Sequence, residues 1–179
     1  MSVERKGIFL SAYSYVAILA VVFMCGRSAG GTTSAADNAS LLVADVVKQA
    51  GRTGGLVVLL DNGDTALADA FAKRPGFLLQ TLAATEARTL QLRKHLRTQS
   101  SDSRATAMAY APGGLPYADG IVSIFVAENF GPDQEIGVAD LVRCLSPNAK
   151  AFLKVSQEDA SWLKVVEGQA RMALALRGK

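Results

Sequence analysis

Short continuous apolar runs recur along the chain and are separated by segments of helical period. Residues 55–60, GLVVLL, and 77–83, FLLQTLA, show no alternation of apolar and polar positions. That is expected of strands covered on both faces by helices. IVSIFVAE at 121–128 is a third strong run, RATAMAY at 104–110 a weaker one of period two, and AKAFLKV at 149–155 a fifth. The segments between them read as helices. ASLLVADVVKQAG places Leu42, Val46 and Ala50 on one face, with Asp37, Asn38 or Ser40 as its cap and Gly51 as its stop. ALADAFAKR is ended by Pro75 and Gly76. Thr85 caps EARTLQLRKHLRT, in which Leu92 and Leu96 pair one turn apart while Arg93, Lys94 and Arg97 face water. IGVADLVRCL is a helix ended near Pro147, and Ser156 with Asp159 forms a capping box for QEDASWLKVVEGQARMALALR. APGGLPYADG, rich in glycine and proline, is an irregular loop.

Strand and helix signals thus alternate five times, with spacings that suit right-handed βαβ units. The fold class is α/β: a Rossmann-like parallel sheet of about five strands with helices on both faces. A chain of 179 residues, half of them hydrophobic, accommodates one such core.

The first 35 residues differ in kind. MSVERK is basic, and residues 7–26 then run without a charge, followed by the small and polar RSAGGTTSAADNAS. This layout is a secretory signal, with exits after Gly30 or Ala35, or an uncleaved membrane anchor, because about 20 apolar residues just span a bilayer. The expected location is periplasmic, secreted or membrane-anchored, with residues 36–179 as the folded domain. Met24 before Cys25 does not suit a lipoprotein signal. Without this segment the chain loses three basic residues and one acidic, leaving 16 basic and 15 acidic. Its basic balance is therefore partly a targeting feature, and RKHLR lacks interleaved aromatics, so no nucleic-acid partner is expected. Cys144 then stands alone in an apolar pattern, which reads as core and excludes an internal disulfide.

Open parallel sheets bind ligands outside the carboxyl ends of their strands. After the first strand the chain reads Asp61-Asn62-Gly63-Asp64-Thr65. Gly63 supplies a positive φ or a close approach of ligand to backbone. Asp61 and Asp64 oppose phosphate but suit a cationic centre, an amino group or donor hydroxyls. Asp64 also reads as an ordinary helix cap.

LLDNGDTALADAFAKR, LQTLAATEARTLQLRKHLR, GLPYADGIVSIFVAENFG and VRCLSPNAKAFLK, in this order, resemble successive motifs of the class I S-adenosylmethionine-dependent methyltransferases. In particular they resemble a methyltransferase-like domain of large bacterial extracytoplasmic proteins that carry propeller repeats. The likeness covers residues 40–155. It implies S-adenosylmethionine as cofactor if the chain is active, held at Asp61, Gly63, Asp64, Thr65, Ala83 and Tyr110. The family's Gly-rich loop falls on Asp61 to Thr65, where at least one glycine is missing. Its ribose-holding acidic residue falls on Ala83, which has no acceptor, and Glu86 reads either as reaching back to replace it or as a solvated helix-start carboxylate. The adenine wall falls on Tyr110 to Leu115, and Glu128 and Asn129 follow the fourth strand where the family places substrate or catalytic residues. The family sheet has seven strands, so the fold is an incomplete one, and the edge of the fifth strand requires the final helix, a protein partner or a further domain to cover it.

Two functions follow: an S-adenosylmethionine-dependent methyltransferase of unknown substrate, or a methyltransferase-like domain that no longer catalyses and serves as a structural or interaction module. A dinucleotide oxidoreductase is disfavoured by the absent glycines and ribose carboxylate. His95 reads as a surface helix residue, Tyr117 and Trp162 as packing aromatics, and no catalytic triad, Walker lysine or metal-ligand spacing is present.

Overall fold

The computed structural model describes residues 34–99, 104–111, 113–131, 134, 136–154 and 162–177. The apolar run at 7–26 and the capping box at Ser156 and Asp159 lie outside them. No helix among the described residues is long and apolar enough to cross a membrane.

Five strands form one fully parallel sheet: β1 (Gly55–Leu60), β2 (Phe77–Ala83), β3 (Ala105–Ala109), β4 (Val122–Ala127) and β5 (Leu145–Leu153). Their order is β3-β2-β1-β4-β5, so the direction of winding reverses between β1 and β4. Strand β4 and the Val57–Leu60 part of β1, at the centre of the sheet, are buried on both faces, which explains their unbroken apolar runs. Val57, Leu59, Leu79, Ile124 and Val126 face one layer, built by α1 (Ala35–Ala50), α2 (Ala66–Ala72) and α3 (Glu86–Gln99). Val58, Leu60, Leu82, Phe125 and Leu153 face the other, built by α4 (Val138–Cys144) and α5 (Trp162–Arg177). The parallel sheet with helices on both faces is as expected.

Two element boundaries differ from expectation. Helix α1 begins at Ala35, with Ser34 as its cap, whose hydroxyl accepts the Asp37 N–H at 3.2 Å. Asp37, Asn38 and Ser40 therefore lie inside the helix. Ala35 and Ala36 are strong helix formers that read as linker only because the residues before them are small. Gly51 does end the helix, at φ 64. At the other end, α4 passes straight into β5 at Leu145, four residues before the expected start. Val122 pairs with Leu145 but Ile124 with Lys150, so the intervening residues form a bulge that holds Pro147 and Asn148, at φ 59. A bulge is where a strand tolerates proline, and asparagine tolerates the left-handed region.

Among the described residues no helix connects β3 to β4. The loop between them instead buries Leu115 and Tyr117 against the α4–α5 layer. Arg143 holds it there, donating to the carbonyls of Leu115 and Tyr117 and to Asp119 and Asp140, while Asp140 accepts the Leu115 N–H. Leu78 of β2 stays 56% exposed.

Candidate functional site

The carboxyl ends of the strands form a rim. Along it stand Tyr110 after β3, Ala83 closing β2, Asp61 after β1, Glu128 after β4 and Lys154 after β5. Backbone bonds continue the sheet to this rim: Tyr110 N–H to Ala83 O at 3.1 Å, Asp61 N–H to Leu82 O at 2.8 Å and Lys154 N–H to Ala127 O at 2.8 Å. The reversal of winding puts the crevice between β1 and β4, where open sheets take ligands.

The turn after β1 is organised by its own side chains. Asp61 Oδ1 accepts the Gly63 N–H at 3.3 Å, Asn62 Oδ1 the Asp64 N–H at 2.9 Å, and Asp64 Oδ1 the Ala66 N–H at 3.0 Å. Each is a bond from a residue to the backbone two positions on, the habit of Asn and Asp in turns. Asp64 thus caps α2, a task that Thr65, the residue just before the helix, does not perform with its side chain. Gly63 sits at φ 93, and a Cβ built there would meet nothing within 4 Å. Glycine is needed at this point for its backbone angle, not for clearance.

Sequence reasoning missed the partner that dominates the site. Arg88, in the first turn of α3, donates from Nε to Asp61 Oδ2 at 2.8 Å and from Nη2 to Asp61 Oδ1 at 3.0 Å. The two side chains are 27% and 9% exposed. A bidentate, partly buried guanidinium–carboxylate pair of this kind contributes about 1–2 kcal/mol once its exposure is taken into account. The hydrogen bonds to Asp61 raise the guanidinium further above its ordinary pKa; burial works against this, and the charges of Asp61 and Asp64 add to it. The only sequence cue was a basic residue just past the end of β2, in a fold that brings that position to the mouth of β1.

On the other side of the turn, Asn62 Nδ2 donates to Glu128 Oε2 and bridges the β1–β4 crevice. Asp61, Asp64 and Glu128 therefore all have protein donors. Ala83 is fully buried in the core formed with α1, α2 and α3, and Ala84 after it also lacks a side-chain acceptor. Tyr110 is half-buried and packs against the opposite layer. Asp61, Gly63, Asp64 and Thr65 are thus brought together at one turn, with Ala83 and Tyr110 at the adjoining strand ends. Glu86 is exposed at the start of α3.

The remaining candidates lie elsewhere. His95 is on α3 but pairs with Asp69 of α2, Nε2 to Oδ1 at 2.7 Å, joining two helices away from the rim. Trp162 packs on Phe130 with ring centroids 5.1 Å apart. Cys144 is buried. Tyr117 is buried as well, its hydroxyl has no partner among the described residues, and desolvation, with a smaller effect of Cys144, pushes its phenol well above the ordinary range. No group of three metal-ligating side chains converges among the described residues.

No protein-family model and no curated protein matches the sequence. Solved structures do match the fold. A Methanococcus maripaludis protein assigned to the S-adenosyl-L-methionine-dependent methyltransferases aligns over 80% of this chain and 74% of its own, with a TM-score of 0.57 and 15% identity. Coclaurine N-methyltransferase, solved with N-methylheliamine and S-adenosylhomocysteine, aligns over 72% and 39% with a TM-score of 0.55 and 13% identity. Geranyl diphosphate C-methyltransferase from Streptomyces coelicolor, solved with Mg2+, geranyl diphosphate and S-adenosylhomocysteine, aligns over 76% and 58%, at 0.54 and 13%. The chain has the Rossmann-like fold of these enzymes. Identities this low carry the architecture alone.

The nucleoside cofactor of such enzymes does not fit the residues at this mouth. Ala83 and Ala84 at the β2 end offer no side-chain acceptor for ribose hydroxyls, and the Asp61 carboxylate beside them is already held by a guanidinium.

Proposed function

We propose that this chain is a methyltransferase-like module whose cofactor crevice is closed and which serves as a structural or interaction domain. The observation that carries this reading is the Asp61–Arg88 fork, which occupies the carboxylate beside a β2 end whose Ala83 and Ala84 offer no acceptor of their own. Burying ribose hydroxyls without partners costs about 1–3 kcal/mol for each group, and displacing a charge-assisted pair adds to that. Titration calorimetry of the full chain with S-adenosylhomocysteine tests it: no saturable heat is expected, and micromolar binding or methylation of any substrate with S-adenosylmethionine would end the reading.

A second reading is favoured by the charge of the rim. Asp64 and Glu128 leave the mouth acidic despite Arg88, which suits the sulfonium and ammonium groups of S-adenosylmethionine and supports an active methyltransferase of unknown substrate. The same titration separates the two. Residues 7–26, as a signal or anchor, would deliver the domain outside the cytoplasm, where a protein partner or further domain is the expected contact; protease accessibility on intact cells tests the location.

A further inference from the structure

Arg88 reaches from the first turn of α3 to Asp61, which lies beside the end of β2 because its N–H bonds the Leu82 carbonyl. The guanidinium therefore crosses the carboxyl end of β2 to reach that of β1. A ligand lying along these two strand ends meets a planar cation. Ala83 and Ala84 give a ribose diol nothing to bond, and Asp61, the carboxylate beside the β2 end, holds both its oxygens against Arg88 at 2.8 and 3.0 Å. Hydroxyl donors compete poorly with a guanidinium fork for a carboxylate, because the fork makes two parallel charge-assisted bonds. Elsewhere the mouth is crossed by the Asn62–Glu128 bond. The space a Cβ would take at Gly63 is open, and Asn62 and Asp64 on the same turn are exposed.

We propose that Arg88 is the specificity-determining residue of this crevice, a resident competitor that keeps a ribose-bearing cofactor off Asp61, and that the mouth admits such a cofactor once the guanidinium is removed. The proposal rests on the closed-crevice reading above and assigns its cause to one side chain.

The test is calorimetric titration of S-adenosylhomocysteine into the full chain and into Arg88→Gln, Arg88→Lys and Lys94→Gln. Lys94 is exposed on the same helix, so its replacement removes one positive charge from α3 without touching Asp61. The wild-type Kd is expected to be weaker than about 1 mM and that of Arg88→Gln at least tenfold tighter, which corresponds to about 1.4 kcal/mol of competition removed. Arg88→Lys, which keeps Asp61 paired through a single ammonium, should fall between them, and Lys94→Gln should match the wild type. The lysine variant also decides the matter if the glutamine variant, with its stranded carboxylate, fails to fold. Weak binding by every variant overturns the proposal and leaves the closed-crevice reading standing. Tight binding by the wild type ends that reading; the proposal survives it only if Arg88→Gln binds tenfold tighter still. A weaker Arg88→Gln would make Arg88 a ligand contact and overturn the proposal.

Discussion

Replacing Arg143 with alanine should release the loop between β3 and β4, and the cost can be worked from its bonds. The guanidinium donates to Tyr117 O at 2.7 Å and to Leu115 O at 3.2 Å, both belonging to buried residues, and each such bond is worth about 0.5–1 kcal/mol net. The ion pair to Asp119 adds little, because that carboxylate is 71% exposed. The pair to Asp140, at 2.6 Å and partly buried, adds about 0.5 kcal/mol. The total is about 2 kcal/mol, or roughly 4–8 °C in Tm for a chain of this size. Urea unfolding followed by the single tryptophan, Trp162, which packs on Phe130 in the same layer, measures it. Hydrogen exchange then localises the loss. The Tyr117 N–H, bonded to Leu115 O at 2.8 Å, and the Gly120 N–H, bonded to Arg143 O at 3.0 Å, should lose protection while the centre of β1 does not. A stability within about 0.5 kcal/mol of wild type, or loss of protection spread evenly over the sheet, would refute the view that one side chain holds this connection.

Three further outcomes follow. Tyr117→Phe should be neutral or stabilising by about 1 kcal/mol at pH 7, since it removes a buried hydroxyl with no partner among the described residues. Because burial raises the folded-state pKa of Tyr117 above its ordinary 10.0, the wild type keeps this contribution below pH 10 and loses it as pH rises beyond, at up to about 1.4 kcal/mol per pH unit. Urea curves at pH 7 and 10.5 should show the variant losing less. Gly55→Ala should cost about 3 kcal/mol or prevent folding, because its Cβ would lie 2.2 Å from Ser123 Oγ and the backbone is at φ 124; Ser123→Ala should rescue it only in part, as Ser123 Cβ is itself 2.9 Å away. Gly63→Ala, with open space around it but φ 93, should cost only about 1 kcal/mol, and thermal unfolding of the two glycine variants side by side checks the contrast.

Strands β1 and β2 were legible residue for residue: β1 writes the unbroken apolar run of a strand buried on both faces, and Pro75-Gly76 and the Asp61-Asn62-Gly63 turn mark where β2 begins and β1 ends. The parallel arrangement followed from the alternation of helix and strand. The start of β5 was not legible. Pro147 and Asn148 carry the signals of a loop, and only the register against β4 shows that they sit in a bulge within the strand. At the rim, Gly63 and the capping role of Asp64 were readable because both are local. Arg88 and Asp61 are 27 positions apart, and His95 and Asp69 are 26 apart. A pair joined across two elements leaves no period and no motif, so its chemistry emerges only when topology sets the two ends side by side.

This distinction bears on why an acidic residue stands at the end of β1 at all. A carboxylate only 9% exposed needs a partner, because an unpaired buried charge costs several kcal/mol. Where a ligand supplies that partner, the residue is a binding group. Here Arg88 and the Gly63 N–H supply it permanently, and the carboxylate becomes a strut that ties the β1 turn to α3. The two roles respond differently to substitution. As a strut, Asp61→Asn keeps an acceptor for the Gly63 N–H but loses the charge that Arg88 pairs with, so stability should fall by about 1–2 kcal/mol with S-adenosylhomocysteine present or absent. As a ligand group, the variant would show its deficit chiefly when the ligand is added. The physical question at this mouth is therefore which partner the carboxylate is built for, and the bidentate geometry favours the one already in the chain.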